Sequence, residues 1–177
     1  GFDPTDWTGE LQALSIDPDT LTVEPVWDAG DSINAQDSSS RNVITYGRDE
    51  RDGIPFTWAA ISAQSDTAQA ELLSADAWGN PDGLGQERVD FLRGDEVTGF
   101  RSRAGKLGDI VNSGLAYVGA PEAGYAAEDY GSFAAANATR SPILYVGAND
   151  GMLHGFDAAT GTERIAYVPG PVYPDLS

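Results

Sequence analysis

Two closely spaced turns near the end of the chain most constrain how it can fold. Asn149-Asp150-Gly151 lies between two short apolar runs, 143–146 and 152–156. Asp-Gly readily adopts the positive φ angles of a primed turn, so the pattern predicts a β-hairpin. A second turn is predicted at 157–161, where Asp accepts backbone hydrogen bonds and Gly supplies a left-handed position, and a further strand follows at 163–168. The sequence thus predicts a tightly connected antiparallel meander.

The start of the chain repeats this pattern. Residues 9–14 and 151–156 share the order Gly-x-Leu-x-small-apolar, and an Asp, a turn and a strand with an aromatic residue (Trp27 or Tyr167) follow each. Repeated meanders with Gly and aromatic residues at fixed places are typical of β-propeller blades. A blade takes roughly 40 to 50 residues. With the helical stretch predicted near residues 62–92 set aside, the 177 residues supply about three blades, whereas a closed propeller has roughly four to eight.

Local patterns predict the remaining elements. Further strands are predicted at 9–17, 21–27, 42–46, 54–59 and 109–118, the first two forming a hairpin. Ala, Gln, Glu and Leu favour a helix at 62–75, and a second short helix is predicted at 85–92. Residues 122–139, rich in Ala, Gly and Tyr, are predicted to form a surface loop. The predicted fold is a mainly β, incomplete propeller with a helical insertion near residues 62–92.

Charge and composition exclude several classes of function. The chain has 28 Asp and Glu against 10 Lys and Arg, a net charge of −18, which disfavours nucleic acid and anionic lipid as partners. Without Cys it has no disulfide, thiolate metal site or Cys nucleophile. No apolar stretch approaches the roughly 20 residues that span a bilayer. The first residues lack a signal peptide pattern, so we expect a mature chain or an excised piece of one, with no direct membrane insertion.

Arg93-Gly94-Asp95 is the most suggestive tripeptide, and it has two interpretations. It can present a guanidinium and a carboxylate on either side of a Gly turn, the geometry that integrin-type receptors bind. Alternatively, Gly94 ends the helix predicted at 85–92, and Arg93 is favourable near the negative end of the helix dipole. Capping alone explains the arrangement, so receptor binding by these three residues is the less economical hypothesis.

Other polar residues have structural explanations. His154 is the only histidine, lies on a predicted strand and has no second His or Cys with which to form a familiar metal site. Turn formation accounts for Asn149, Asp150 and Asp157, and Ser113 lacks the Gly-x-Ser-x-Gly elbow of serine hydrolases. We therefore predict no catalytic residue and no metal ligand. Four aromatic residues are expected to pack between blades: Trp7, Trp27, Tyr145 and Tyr167.

Residues 140–157 contain a specific run, Gly147-Ala148-Asn149-Asp150-Gly151-Met152-Leu153-His154. This run resembles the PilC/PilY family of type IV pilus tip proteins. Three further parts of the chain match the family in the same order: Trp7 to Leu11, Leu92 to Asp95, and Phe100 to Arg103 followed by Leu107 to Ser113. The resemblance extends from about residue 7 to residue 170 and includes nearly the whole chain.

The resemblance implies that residues 1–177 are the first part of a quinoprotein-like propeller in a large exported protein at the pilus tip or outer membrane. It implies roles in pilus assembly, twitching motility and attachment, with pilin or minor-pilin subunits and a host cell-surface receptor as partners. Relatives use calcium through an Asp-rich loop. Residues 17–19 and 49–53 both lack its ligand spacing, so calcium is expected elsewhere in the full-length protein and no cofactor in this segment.

Two other interpretations remain open. Pyrroloquinoline-quinone-dependent dehydrogenases share the blade pattern, so the chain can be a fragment of such an enzyme. The Cys pair often found near their cofactor has no counterpart here, and the pilus-specific runs are foreign to that enzyme class. A scaffold that assists pilus assembly and contacts no host molecule is the third alternative.

Overall fold

The computed structural model describes residues 9–126 and 128–176, so the packing predicted for Trp7 lies outside the described residues. The β-strands are β1 (Gln12–Ile16), β2 (Val23–Asp28), β3 (Val43–Gly47), β4 (Asp52–Pro55), β5 (Ala116–Val118), β6 (Ile143–Gly147), β7 (Leu153–Asp157) and β8 (Glu163–Val168). The α-helices are α1 (Ala29–Asn34), α2 (Trp58–Ser62), α3 (Ala68–Leu73), α4 (Gly85–Arg93) and α5 (Glu128–Ala136), with 3₁₀ helices at Ser38–Ser40 and Gly170–Asp175.

Most strands belong to one six-stranded sheet with the order β4-β3-β8-β7-β6-β5. Strands β6 to β8 form the predicted antiparallel meander, β5 extends it by pairing antiparallel with β6, and β3 joins it by pairing in parallel with β8. The predicted hairpin of β1 and β2 forms a separate two-stranded sheet. The mainly β class is confirmed. The described strands form two sheets, in which the parallel pairing joins β3 and β4 to the meander, so the count of about three blades is not confirmed.

The β1–β2 hairpin and the β7–β8 hairpin have the same turn. In each, an aspartate carboxylate accepts the N–H of the residues two and three positions later: Asp157 at 3.0 and 3.2 Å, and Asp17 at 2.8 and 2.9 Å. Four residues after each Asp the backbone turns left-handed, with φ of 70° at Gly161 and 55° at Leu21. The internal repeat predicted from the sequence is therefore present in the backbone.

Trp27 joins the two hairpins. Its Nε1 donates to the carbonyl of Ala158 at 3.3 Å, and its ring covers Gly161 so closely that a Cβ there would lie 2.6 Å from Cε3 of Trp27. Only a residue without a side chain fits under the ring at this distance. Trp27 thus packs between the repeated units, as expected, while Tyr145 and Tyr167 are half-buried in the meander.

Two apolar clusters make up the core. The first lies between the sheet and the helical segment that follows β4, and its buried members include Val43, Phe56, Ile61, Leu73, Val89, Met152 and Val168. The second contains Ala29, Ile33, Leu107, Val146 and Phe156, with Trp27 packed against it. The helical segment that follows β4 therefore contributes to the main core.

Several predicted elements have different bounds in the structure. The strand predicted at 54–59 ends at Pro55, because Thr57 accepts the N–H of Ala60 at 3.3 Å and begins α2. Of the helix predicted at 62–75, residues 68–73 form α3 and residue 62 is the last residue of α2. The strand predicted at 109–118 is reduced to β5, since Asn112 adopts a φ of 59° that extended backbone does not allow. The predicted loop at 122–139 contains α5.

The second predicted helix, 85–92, is confirmed as α4 and extends one residue further. In the described part of the chain, no helix is long and apolar enough to span a membrane.

Candidate functional site

The tripeptide Arg93-Gly94-Asp95 lies where α4 ends. Gly94 adopts a φ of 122°, and its N–H donates to the carbonyls of Asp90 at 3.2 Å and Phe91 at 2.9 Å. A Cβ at Gly94 would also lie 2.9 Å from Cδ of Lys106. Conformation and space both favour glycine, so Gly94 is the C-cap that the capping interpretation predicts.

The side chain of Arg93 points into the protein. Its residue is 8% exposed, and its guanidinium donates to the carbonyls of Phe56 at 3.2 Å, Ser38 at 2.8 Å and Arg41 at 3.1 Å. Burial, and then the charge of Arg41, lower the pKa of Arg93. A guanidinium with three internal acceptors is not presented to a receptor in this conformation.

Asp95 has a different setting. It is exposed, its carboxylate accepts a hydrogen bond from the hydroxyl of Ser38, and its carbonyl accepts from Nη2 of Arg103 at 3.1 Å. The N–H of Asp95 donates to the carbonyl of Asp90 at 3.0 Å. Within the tripeptide, the carboxylate is thus the charged group at the surface. Receptor binding by Arg93, Gly94 and Asp95 stays a prediction.

A line of four buried or half-buried charged side chains runs from the end of α4 to the Asn149-Asp150-Gly151 turn; we call it the ion chain, Arg41–Glu163–His154–Asp150. Nε and Nη2 of Arg41 donate to the two oxygens of Glu163 at 2.7 and 2.9 Å. His154 bridges Oε1 of Glu163, 2.7 Å from its Nδ1, and Oδ2 of Asp150, 3.0 Å from its Nε2. Nη1 of Arg41 donates to the carbonyl of Arg93 at 2.5 Å. The ion chain thus joins the tripeptide to the hairpin turn.

Each charge in the ion chain is stabilised by its neighbours. Burial disfavours a charged imidazole, but the carboxylates of Asp150 and Glu163 outweigh it and raise the pKa of His154 to about 9. Burial likewise opposes the charge of Glu163, yet hydrogen bonds from His154 and Arg41 lower its pKa to about 2. The pKa of Asp150 is lowered, because His154 and the N–H groups of Gly108 and Met152 outweigh its burial. At neutral pH His154, Glu163 and Asp150 are therefore charged and paired.

This pairing limits the chemistry of His154. A doubly protonated ring donates from both nitrogens and has no lone pair with which to abstract a proton or ligate a metal. His154 is the packed, hydrogen-bonded strand residue that the sequence indicated. Asp157 caps its turn and pairs with Arg164 at 2.8 Å. Among residues 9–126 and 128–176, no group of three or more His, Asp or Glu side chains is arranged to hold a metal ion.

Sequence reasoning missed Arg41 and Glu163, which lie 122 residues apart in the chain. Glu163 is 6% exposed at the first position of β8, and Arg41 is 3% exposed before β3. The available signal was a charged residue next to an apolar run in each case: Arg41 shortly before β3 and Glu163 at the start of β8. Pairing them requires knowing that β3 and β8 are neighbours.

A cavity of about 490 Å³ lies at the Asp150 end of the ion chain. It is bounded by the end of α4, the loop at 100–103, the turn at 148–151 and the second 3₁₀ helix. Three arginines reach it, Arg88, Arg101 and Arg103. The sequence did not indicate this cavity, because its walls come from four separate parts of the chain.

Comparison with known proteins gives a consistent result. A family model described as the PilY1 beta-propeller domain matches residues 107–175. The chain is 36% and 38% identical, over 97% and 96% of its length, to proteins of two Pseudomonas aeruginosa strains named type IV pilus biogenesis factor PilY1. A Xylella fastidiosa protein named as a homologue of that factor is 37% identical over 96% of the chain. No solved structure matches. The chain spans 13–16% of the length of these relatives.

Proposed function

The chain belongs to the PilC/PilY family of type IV pilus proteins, and we propose that it is a non-catalytic binding and assembly module in pilus biogenesis. The observation that carries the proposal is identity of 36–38% over at least 96% of the chain to factors named for that process. We further propose that the chain is the first part of a single propeller of quinoprotein-like shape, with residues 62–92 inserted as helices that support its core.

The ion chain supports a non-catalytic role. His154 and Glu163 lie within or just after the sequence run typical of the family, and both are used internally. A polar network that satisfies its own members rigidifies a fold. It also leaves neither residue available as a general base or nucleophile. A rigid module suits a protein that transmits tension or presents loops to partners.

The finer functions are proposals as well. We propose that the exported protein acts at the cell surface or pilus tip, contacts pilin or minor-pilin subunits and supports twitching motility and attachment. The exposed carboxylate of Asp95 is the part of the tripeptide that can reach a host receptor. Calcium, if the protein uses it, binds in another part of the full-length protein.

Pilus assembly is tested by loosening the module inside the full-length protein. Glu163→Gln removes one charge from the ion chain, and Glu24→Gln removes one from the exposed surface of β2 as the matched control. We expect Glu163→Gln to reduce surface pili, measured as pilin sheared from cells, while total cellular pilin stays constant. Normal amounts of sheared pilin with a misfolded module, detected by proteolysis of the variant, would contradict the proposal.

Attachment is tested by Asp95→Glu in the full-length protein, because this substitution keeps the charge and moves the carboxylate. Reduced attachment to receptor-bearing cells with normal piliation supports receptor binding. Unchanged attachment would leave the tripeptide only as a helix cap.

The dehydrogenase alternative is not favoured by the matches to pilus biogenesis factors. It is tested by supplying pyrroloquinoline quinone and calcium to the full-length protein and following dye reduction with alcohol substrates. Sustained turnover would overturn the non-catalytic proposal.

A further inference from the structure

The cavity beside Asp150 has the size of a ligand site. Small-molecule sites usually occupy about 300–1,000 Å³ and combine apolar walls with a few polar groups. At about 490 Å³, this cavity lies within that range. It is separate from the Asp95 carboxylate to which the receptor hypothesis refers.

The cations of the cavity are unusual for such an acidic chain. Three of the 10 Lys and Arg residues reach it. Arg88 is already paired with Asp82 and donates to the carbonyl of Leu73 at 2.7 Å. Arg101 forms no hydrogen bond or ion pair with the residues that the structure describes. Arg101 is exposed at the cavity, so its donors can reach an anion bound there.

Arg103 is held in place but keeps donors free. Its Nη2 donates to the carbonyls of Phe91 at 2.7 Å and Asp95 at 3.1 Å, and its guanidinium lies 4.3 Å from the centre of the Phe91 ring. Nη1 and Nε have no acceptor in the described part of the chain. An arginine fixed on an aromatic ring is pre-organised, so little side-chain entropy is lost when its remaining donors bind a ligand.

The acidic groups at the cavity limit the charge of the ligand. Asp150 keeps its negative charge while it pairs with His154 and accepts the N–H groups of Gly108 at 2.9 Å and Met152 at 3.0 Å. Asp175 is exposed at the rim. Two carboxylates repel a dianion more strongly than a monoanion. A single carboxylate fits this balance better than a phosphate, and its two oxygens match the donors of a guanidinium.

The rest of the wall is apolar. Leu92, Val172 and Leu176 line the cavity, and Phe100 packs against Phe91 with 5.2 Å between ring centres. Burying an aliphatic or aromatic group there removes apolar surface from water. The arginines and the apolar wall together favour a ligand that has both a negative charge and an apolar group.

We propose that this cavity binds a carboxylate joined to an apolar group, with the carboxylate on Arg101 and Arg103 and the apolar group against Leu92, Val172 and Leu176. The carboxylate belongs either to a peptide, as a C-terminus beside an apolar side chain, or to a free organic acid. The site does not depend on the pilus role and stands or falls separately from it.

Titration calorimetry of the full-length protein tests the site with matched probes. The probes are 3-phenylpropionate, its uncharged amide, inorganic phosphate, and acetyl-Ala-Ala-Phe with either a free or an amidated C-terminus. We expect saturable binding of the free carboxylates and at least about tenfold weaker binding of the amides and of phosphate, which corresponds to about 1.4 kcal/mol. Tighter binding of the free peptide identifies a peptide source, and tighter binding of phenylpropionate identifies a free acid.

Arg101→Gln is the decisive variant, since Arg101 is exposed and the substitution removes no hydrogen bond or ion pair among the described residues. We expect it to weaken carboxylate binding about tenfold, whereas Arg48→Gln, at an exposed ion pair with Asp66, leaves binding unchanged. Equal binding of acid and amide, an unaltered affinity of Arg101→Gln, or no saturable binding by any probe would each overturn the proposal.

Discussion

At the scale of single residues, the ion chain places charged side chains in the interior, where solvent is excluded. Arg41 and Glu163 have side chains that are 0% and 1% exposed, and His154 is fully buried beside them. Burying charge is costly unless each group is paired and hydrogen-bonded. The network meets that condition, because every charged atom in it has a partner at 3.2 Å or less. Stability should therefore be sensitive to pH and to the loss of any member.

Stability is predicted to fall as pH rises from 6.5 to 9. The pKa of His154 is raised from 6.5 to about 9 in the folded protein, so its contribution is fully present below pH 6.5 and lost as pH rises through 9. The loss is on the order of 3 kcal/mol. Urea unfolding at intervals between pH 6 and 9.5 measures it. His154→Gln should remove this dependence, and a flat profile for the unaltered chain would refute the assignment.

At low pH the stability contributed by Glu163 changes in the opposite direction. The pKa of Glu163 is lowered from 4.5 to about 2, so its contribution is present above pH 4.5 and lost as pH falls towards 2. Together the two groups place their greatest joint stabilisation between pH 4.5 and 6.5.

Removing one partner of the buried ion pair should be far more damaging than removing one at the surface. Arg41→Met leaves Glu163 charged and without its guanidinium in the interior, which costs about 3–5 kcal/mol in unfolding free energy. Arg48→Met is the matched control, because Arg48 and Asp66 have side chains 50% and 39% exposed. That change costs about 1 kcal/mol or less. Equal losses in urea unfolding would show that the buried pair does not stabilise the fold.

Residue roles were predictable where the cause was local. The Gly94 cap and the structural role of His154 follow from neighbours in sequence, and the structure bears out both. The inward direction of Arg93 was not predictable, since its acceptors are carbonyls 37 to 55 residues away. Contacts of that separation exist only once the fold brings the segments together.

At the scale of elements, the hairpin turns connect sequence to packing most directly. The turn at 157–161 needs a positive φ at Gly161, and Trp27 needs that position to lack a side chain. The β1–β2 hairpin has Leu21 at the equivalent position, and this residue is 73% exposed. The same backbone turn thus packs against Trp27 in the β7–β8 hairpin and is exposed to solvent in the β1–β2 hairpin.

Gly161→Ala tests that docking, with Gly83→Ala as its control. Both glycines have positive φ, 70° and 74°, but a Cβ at Gly83 has no atom within 4 Å. Gly83→Ala should cost only the backbone strain, about 1 kcal/mol. Gly161→Ala should cost a further 1–3 kcal/mol or so, because the Trp27 ring must move. Equal losses in unfolding free energy would mean that Trp27 does not hold the hairpins together.

Elements were predictable in proportion to the strength of their local signals. Strands β6 to β8 and helix α4 match their predictions within one or two residues, since turn residues or a glycine cap mark their ends. Helix α5 was missed because its Ala-rich sequence also contains Gly131, which favoured a loop. The division between α2 and α3 was missed because it depends on Asp49, whose carboxylate accepts the N–H groups of Ser65 and Asp66 at 2.5 and 3.3 Å.

At the scale of the whole molecule, the parallel pairing of β3 with β8 decides the architecture. It places the helical segment 58–93 against the meander and brings Arg41 to Glu163. Periodicity alone predicts strands but not which strands are neighbours. The mainly β class and the repeat could therefore be predicted, whereas the six-stranded sheet, the ion chain and the cavity could not.

The same scale determines the response to salt. A net charge of −18 on 177 residues destabilises the compact state by self-repulsion, and most of these carboxylates lie at the surface. Raising NaCl from 0.01 to 0.15 M shortens the screening length from about 30 to about 8 Å. Repulsion between distant surface charges then weakens, while the ion chain, shielded by its burial, keeps its strength. We therefore predict that the thermal midpoint rises over this range.

Choline chloride at the same ionic strength is the control for this prediction, because screening depends on ionic strength and not on the cation. An equal rise of the thermal midpoint in both salts attributes the effect to surface repulsion. The double variant Asp19→Asn, Glu24→Gln should then show a smaller rise, because both carboxylates are exposed on the β1–β2 hairpin. A rise in NaCl alone would mean that sodium binds specifically. A fall in both salts would mean that attractive ion pairs outweigh repulsion, and that the acidic surface stabilises the fold.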